Sequence, residues 1–158
     1  MGALLDLQEA RTEAERLRAA GKKIVLANGA FDPLHVGHVR FLRAARGCGD
    51  ALFVAVNSDS SVRGLKGPGR PVMPAEERAE IVCAIEGVEY AVVFDEPTVE
   101  RVVRALRPHV HAKGTDYTAD SVPEAELVRS LGGEVRIVGD PKGHDSSALI
   151  NKIRGDPA

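Results

Sequence analysis

The sequence predicts an α/β fold in which helices cover both faces of one parallel sheet. Five strand-like apolar runs alternate with runs that repeat apolar residues at helical spacing, and no segment repeats another. The first two strand-like runs, Ile24 to Ala27 and Ala51 to Val56, are apolar at every position, which is typical of strands covered on both faces. These observations indicate a single doubly wound parallel sheet of the Rossmann-like type.

Length and composition bound the domain organisation. A chain of 158 residues with 44% hydrophobic residues can form one domain with a substantial core. Residues 1–20 are predicted to form a surface helix packed on that domain, because Leu4 to Ala20 place apolar and alanine positions at helical spacing and Gly21 ends the run. Residues 21–158 would then hold the sheet and the functional site.

Charge and cysteine content exclude several classes of partner. A net charge of -2 and a pI near 6.2 argue against a nucleic acid, because domains that bind one usually carry a basic excess. Cys48 and Cys83 form no C-x-x-C pair, and without a secretory leader they indicate free thiols in a reducing cytoplasm. No apolar run approaches the roughly 20 residues of a membrane span. We therefore expect a cytoplasmic protein with neither nucleic-acid nor membrane partners.

The remaining elements follow the first strand in chain order. The sequence predicts a helix from His38 to Arg46, the strand Ala51 to Val56, a Gly- and Pro-rich loop from Val62 to Met73, a helix opened by Pro74, a strand from Tyr90 to Phe94, a helix from Thr98 to Leu106 capped by Thr98, a strand opened by Val110, a helix from Glu124 to Leu131, a strand from Glu134 to Val138, and a last helix capped by Ser146 or Ser147.

The turn after the first strand is the strongest candidate for a binding site. It runs from Asn28 to His38 and opens the next helix, whose unpaired N–H groups and dipole favour a phosphate. His35 and His38 are three residues apart, so both imidazoles project from one side of the first helical turn and can donate to one anion. Gly37 lies between them, where only a glycine lets the backbone approach a ligand closely.

Other interpretations of this turn are weaker. A single histidine near a helix start is usually a capping or surface residue, but two that flank a glycine directly after a strand favour an anion site. A closed zinc site needs four ligands, and no cysteine or further histidine stands at metal spacing nearby. The first strand is not followed by G-x-G-x-x-G, which argues against a dinucleotide-dependent dehydrogenase.

These residues also carry a resemblance to a known family. Gly29-Ala30-Phe31-Asp32 followed by His35-Val36-Gly37-His38 resembles the paired nucleotide-binding motifs of the cytidylyltransferase-like nucleotidyltransferases, whose H-x-G-H histidines bind nucleotide phosphates. Within that superfamily the chain, from about Gly21 to Ile153, is most similar to the adenylyltransferase domain of the bacterial heptose-phosphate enzymes. Those domains transfer AMP from ATP to a heptose 1-phosphate. The resemblance implies nucleotide contacts from Gly29, Ala30, Phe31, Asp32 and Gly37.

The Gly- and Pro-rich loop has two interpretations. It lacks the Gly-Lys-Ser/Thr ending of a P-loop, and composition alone favours an exposed flexible loop as much as a functional one. Leu65-Lys66-Gly67 and Arg70-Pro71-Val72 match the heptose-type enzymes, which favours a mobile flap. In that flap Lys66 would be catalytic and Arg70 would bind the substrate.

Further predicted contacts lie at other strand ends. Asn57 and Asp59 follow the second strand and are predicted to bind the substrate, because carboxyl ends of parallel neighbours meet at one edge. Lys113-Gly114-x-Asp116-Tyr117 combines a cation, a close-approach glycine and a carboxylate for a ribose or sugar hydroxyl group, and it matches a family motif. Lys113, Gly114 and Asp116 are therefore predicted to bind the nucleotide. The resemblance adds nucleotide contacts from Arg78, Ser146 and Ser147, although Asp145-Ser146-Ser147 replaces the usual Ser-Thr-Thr and Ala30 replaces a Cys.

The resemblance implies an enzyme that makes ADP-heptose and pyrophosphate, with His35, His38 and Lys66 as its catalytic residues. It implies Mg²⁺ held mainly by the nucleotide phosphates, with no metal ligands from the chain, and a homodimer. Two alternatives remain open. The enzyme could use CTP, or another acceptor such as glycerol 3-phosphate or a flavin, or the chain could be a nucleotide-binding regulator without turnover.

Overall fold

The computed structural model describes residues 1–141 and 143–156, and within those ranges it holds one six-stranded sheet. The predicted domain of residues 21–158 therefore includes positions 142, 157 and 158, which lie outside the described residues. The strands are β1 (Ala3–Leu5), β2 (Ile24–Gly29), β3 (Ala51–Asn57), β4 (Val88–Phe94), β5 (Val110–Lys113) and β6 (Glu134–Ile137). The helices are α1 (Leu7–Ala19), α2 (Val36–Arg46), α3 (Asp59–Lys66), α4 (Ala75–Cys83), α5 (Glu100–Leu106), α6 (Ala125–Ser130) and α7 (Ser146–Arg154).

The strands pair in parallel in the order β1-β4-β3-β2-β5-β6, which confirms the predicted doubly wound class. Helices α1, α5 and α6 pack on one face, and α2 and α4 pack on the other. The strand order reverses between β2 and β5, so the connections that leave these neighbours open a crevice at their carboxyl ends. Among the described helices, none has the length and apolar composition that a membrane crossing requires.

The first 20 residues contribute a strand as well as a helix. β1 is an edge strand whose Ala3 pairs with Tyr90 of β4. α1 begins only at Leu7, after the Asp6 carboxylate accepts the N–H of Glu9 at 2.8 Å. The helix predicted from Leu4 was therefore wrong in its first turn, because a three-residue strand is too short to show the alternation that distinguishes it from a helix.

Two predicted boundaries shift next to the crevice. The predicted loop from Val62 begins as part of α3, so Lys66 stands on the end of a helix and the irregular segment covers residues 67–74. Gly64 inside α3 lowers its helix propensity, which hid the helix in the sequence. α5 begins at Glu100, and within the described ranges Thr98 makes no cap for it.

A buried arginine ties the strand ends together beneath the crevice. Arg78 on α4 has no exposed surface. Its guanidinium donates to the carbonyl oxygens of Met73, Ala30 and Asn57 at 2.8, 2.7 and 2.7 Å, and to Oδ1 of Asp59 at 2.8 Å. These four bonds join the end of β2, the end of β3 and the loop before α4. The floor of the crevice is thus held by one fixed cation.

Replacing that cation by lysine tests its role in folding. We expect Arg78→Lys to lower the free energy of unfolding by about 3 kcal/mol, because an ammonium cannot span four acceptors and leaves buried carbonyls unpaired. Urea unfolding at pH 7 measures the change, with Arg63→Lys on the exposed side of α3 as the matched control. A loss below about 1 kcal/mol would show that the strand ends hold without the arginine.

Candidate active site

A cleft of about 600 Å³ occupies the crevice at the carboxyl edge of the sheet. Its volume lies within the range of sites that enclose a small-molecule ligand. Fifteen of the seventeen predicted site residues line it, and these are Gly29, Ala30, Phe31, Asp32, His35, Gly37, His38, Asn57, Lys66, Arg70, Lys113, Gly114, Asp116, Ser146 and Ser147. The sequence therefore identified one contiguous surface from motifs that are up to 118 positions apart.

The two histidines cap the helix they open. The backbone N–H of Gly37 donates to Nδ1 of His35 at 3.1 Å, and the N–H of His35 donates to Nδ1 of His38 at 3.2 Å. The rings stack with their centroids 3.9 Å apart. Because each Nδ1 is an acceptor, each neutral ring carries its proton on Nε2. The cleft therefore presents two adjacent N–H donors, the arrangement that the sequence predicted for one anion.

Burial keeps both rings neutral. Desolvation and, to a smaller extent, the neighbouring His35 lower the pKa of His38 from 6.5 to about 4. Desolvation also lowers the pKa of His35, and the nearby His144 acts in the same direction. Near pH 7 the rings are therefore hydrogen-bond donors with little positive charge of their own.

Glycine and phenylalanine shape the turn around these rings. A Cβ at Gly37 would lie 2.9 Å from Cε1 of His35, so a side chain there would displace the ring. The requirement for glycine thus comes from the stacked imidazoles themselves. Phe31 has a left-handed backbone with φ of 53°, and its ring packs edge-on against His38 with centroids 5.1 Å apart. The turn accepts a costly backbone conformation at Phe31, and the Phe31 ring supports one of the two donors.

Asp32 holds the Gly- and Pro-rich loop onto the turn. Its side chain has no exposed surface, and it accepts from Nε of Arg70 at 3.0 Å and from the N–H groups of Val72 and Met73 at 2.7 and 2.9 Å. Nη2 of Arg70 also donates to the carbonyl of Asp32 at 2.6 Å. The carboxylate predicted to contact a nucleotide is thus occupied by the loop. Arg70, predicted to move freely in a flap, is anchored to Asp32 at the cleft wall.

The last helix closes the cleft with hydroxyl groups. Asp145 caps α7 by accepting the N–H of Ala148 at 2.6 Å, so the predicted cap at Ser146 or Ser147 was wrong. Asp145 takes the cap because its carboxylate reaches back over the first turn. Ser146 instead donates to the carbonyl of Pro33 at 3.0 Å, and Ser147 accepts from Arg70 at 3.5 Å. The two hydroxyls therefore join α7 to the turn after β2 and to the Gly- and Pro-rich loop.

The other predicted residues occupy different positions relative to the cleft. Lys66 is exposed at the end of α3, and Asn57 donates to the hydroxyl of Ser61 at 3.0 Å. Lys113 is buried at the end of β5 beside Asn28 and Glu124, whereas Asp116 is exposed. A Cβ at Gly114 would make only an ordinary contact, so close approach of a ligand there stays a prediction.

Arg78 and Asp59 lie outside the cleft lining. With no exposed surface, Arg78 supports the strand ends in place of the predicted nucleotide contact. Asp59 pairs with Arg78 and accepts the N–H of Ala75 at 2.8 Å, so its carboxylate organises the start of α4, and its substrate contact stays a prediction. Burial decides the position of Arg78 and partner choice that of Asp59, and neither is visible in a local motif.

Several lining residues were not assigned a role by the sequence. They include Asn28, Thr98, Tyr117, Glu124 and His144. Asn28 has a recognisable signal, because it is a polar residue at the carboxyl end of a strand that is otherwise apolar. Glu124 has none, since a glutamate before a helix is ordinarily a surface residue.

A doubly wound sheet whose crevice carries two paired N–H donors, surrounding cations and a helix start defines an α/β domain built to bind a phosphorylated ligand. Residues 26–151 match the family described as cytidylyltransferase-like. The chain belongs to this family of nucleotidyltransferases.

Individual relatives agree with this assignment. The chain is 43% identical over 154 residues to the "Bifunctional protein HldE" of Azotobacter vinelandii, an alignment that covers 98% of this chain and 32% of the relative. It is 48% identical over 136 residues to the protein of the same name from Geobacter sulfurreducens, covering 86% and 28% respectively. The chain thus spans about a third of the length of the curated relatives it matches.

A solved structure shares the fold. The lipopolysaccharide core biosynthesis protein from Thermoplasma volcanium superposes with a TM-score of 0.65 and 28% identity. The superposition covers 78% of this chain and all of the other. The doubly wound sheet and its helices are therefore those of a known protein of similar sequence.

The depressed histidine pKa values predict how the stability of the empty protein depends on pH. Between pH 6.5 and about 4, His38 is protonated in the unfolded chain but stays neutral in the folded chain. The free energy of unfolding therefore falls as the pH falls through this window. Buried His111, with a pKa lowered to about 3, adds to the same trend. We expect the free energy of unfolding of His38→Gln to fall less steeply with pH, with a slope smaller by at most about 1.4 kcal/mol per pH unit.

Urea unfolding at pH 7.0, 6.0, 5.0 and 4.5 gives these slopes. Arg63→Gln, which changes an exposed side chain on α3 outside the cleft lining, serves as the control. Equal slopes for the wild type and the His38 variant would contradict the assignment of a neutral, buried ring at position 38.

Proposed function

We propose that this chain transfers AMP from ATP to the phosphate of a heptose 1-phosphate and releases pyrophosphate. The pair of Nε2–H donors at the start of α2 carries this proposal, because two adjacent neutral donors suit the oxygens of a polyphosphate. The family and the H-x-G-H motif support nucleotidyl transfer. The choice of ATP and heptose rests on the likeness of the Lys66, Arg70 and Lys113 segments to the heptose-type adenylyltransferases.

The transfer requires positioning more than covalent participation by the protein. An oxygen of the sugar phosphate attacks the α-phosphorus of ATP, the bond from that phosphorus to the bridging oxygen breaks, and pyrophosphate leaves with the electron pair. The attacking phosphate is already an anion, so no side chain must remove a proton from it. His35 and His38 donate to oxygens around the breaking bond and stabilise charge as it moves toward pyrophosphate.

Cations and backbone amides surround the same point. The N–H groups of Ala30 and Phe31 lie on the turn that Arg78 and Asp32 hold in place. Arg70 is fixed at the cleft wall with Nη1 at 3.5 Å from Ser147, whereas Lys66 stands exposed at a helix end and is able to swing over the phosphates. The proposed roles are a fixed cation at position 70 and a mobile one at position 66.

Mg²⁺ supplies additional positive charge for the triphosphate when it is bound. In the described part of the chain no three His, Cys, Asp or Glu side chains gather as a metal site. Asp32 already accepts three hydrogen bonds, so its oxygens are committed to the loop. The family resemblance supports an ion held mainly by phosphate oxygens of the nucleotide. The same family resemblance supports a homodimer in the cytoplasm.

A nucleotide-by-acceptor panel tests the proposed substrates. We expect pyrophosphate release to be fastest with ATP and heptose 1-phosphate, and slower by at least about tenfold with CTP or with glycerol 3-phosphate or FMN as acceptor. The coupled assay for pyrophosphate measures all combinations on one enzyme preparation. If another nucleotide and acceptor react faster, the proposed substrates are wrong. If the protein binds ATP tightly but turns over no acceptor, it is a nucleotide-binding regulator.

Two substitutions test the catalytic residues. We expect His38→Ala and Lys66→Ala each to lower kcat by about 10²–10³, because each removes a donor to charge that develops during transfer. Arg63→Ala removes a cation from the same helix as Lys66, on a side chain outside the cleft lining, and should leave kcat unchanged. Wild-type turnover by the His38 and Lys66 variants would refute the assignment.

A further inference from the structure

Side-chain alternation divides the cleft into two halves. On β2, Ile24 and Leu26 pack toward α1, α5 and α6, while Val25 and Ala27 pack toward α2 and α4. Asn28 continues the first series, because residues two apart along a strand share a face. On β5, Lys113 likewise lies on the face opposite Ala112, which packs toward α2. Asn28 and Lys113 therefore border the half of the cleft opposite the helix that carries the two histidines.

One oxygen of a buried carboxylate in this half lacks a hydrogen bond. Glu124 precedes α6, lines the cleft and is 5% exposed. Its Oε2 makes no hydrogen bond within the described chain, and the Nζ of Lys113 lies 4.0 Å from it, beyond hydrogen-bond distance. An unpaired buried oxygen of this kind is uncommon in folded proteins and indicates a missing donor.

Two donors line the same half of the cleft as this acceptor. Oδ1 of Asn28 accepts from Nζ of Lys113 at 3.3 Å and lies 2.9 Å from Nε2 of His111. These two partners orient the amide of Asn28, so its NH₂ group serves as a donor at the cleft. His111 is fully buried outside the cleft lining and acts only by positioning Asn28.

An acceptor and two donors in one half of the cleft match the hydrogen-bonding capacity of hydroxyl groups, which both donate and accept. A phosphate at Glu124 would face a like charge and cannot donate when ionised. We propose that Glu124, together with Lys113 and Asn28, binds hydroxyl groups of the sugar-phosphate acceptor and sets the enzyme's preference for a polyhydroxylated acceptor. This inference rests on the proposed function, and it moves Lys113 from the nucleotide to the acceptor.

Saturation kinetics of Glu124→Gln, with each substrate varied in turn, test this inference. The variant keeps the shape of the side chain but replaces one acceptor oxygen with an NH₂ group, which can only donate. We expect the KM for the sugar 1-phosphate to rise about 10- to 100-fold and the KM for ATP to stay within about twofold. Glu126→Gln, an exposed glutamate two residues later on α6, is the matched control and should change neither.

A series of monodeoxy sugar 1-phosphates with the wild-type enzyme makes the test independent of any folding defect in the variant. One deoxy acceptor should lose about as much kcat/KM as Glu124→Gln loses with the parent sugar, and the variant should show no further loss with that acceptor. If the loss caused by Glu124→Gln and the loss caused by the deoxy acceptor add together at every deoxy position, the inference is overturned. A raised KM for ATP would instead assign Glu124 to the nucleotide.

The outcomes separate the two proposals. If the wild type uses sugar 1-phosphates and the KM values of Glu124→Gln stay unchanged, the acceptor subsite is refuted and the proposed function stands. If the wild type forms no pyrophosphate with any sugar 1-phosphate, the proposed function fails and the subsite fails with it.

Discussion

Two backbone hydrogen bonds at the start of α2 set the chemistry of the whole cleft. The N–H groups that a helix start leaves unpaired are usually satisfied by a hydroxyl or a carboxylate, but here imidazole nitrogens of His35 and His38 accept them. This choice fixes both tautomers and turns each ring into an Nε2–H donor. Gly37 permits the stacked pair, because any side chain at that position would meet the first ring. The same bonds that cap the helix thus aim two donors at the proposed polyphosphate site.

Two buried charged groups hold the turn in the shape that this cap requires. Arg78 joins three carbonyls from different segments, and Asp32 collects the Gly- and Pro-rich loop through Arg70 and two backbone amides. Each of these charges is fully paired, which is the condition under which burial of a charge is tolerated. Their effect on a ligand is indirect. They fix where the donors stand before any nucleotide arrives, so the enzyme need not reorganise these groups during transfer.

Sequence reasoning succeeded where local pattern and tertiary structure agree. The uniformly apolar runs of β2 and β3 and the Gly-Ala-Phe-Asp turn led directly to the parallel sheet and to the cleft. It failed for β1, which is three residues long, and for α3, whose Gly64 disguises a helix. The supporting roles of Arg78 and Asp59 depend on which distant carbonyls meet them, and residue type cannot reveal that. Glu124 belongs to no motif, and only its burial distinguishes it from a surface glutamate.

The most direct test of this account is the tautomeric state of His35 and His38, measured by long-range ¹H–¹⁵N correlation NMR at pH 7.5 and assigned with His35→Gln and His38→Gln. The account predicts that both rings carry their proton on Nε2, with Nδ1 unprotonated, and that ATP shifts the two Nε2–H resonances without changing the tautomer. Protons on Nδ1, or ring signals that do not respond to ATP, would contradict it.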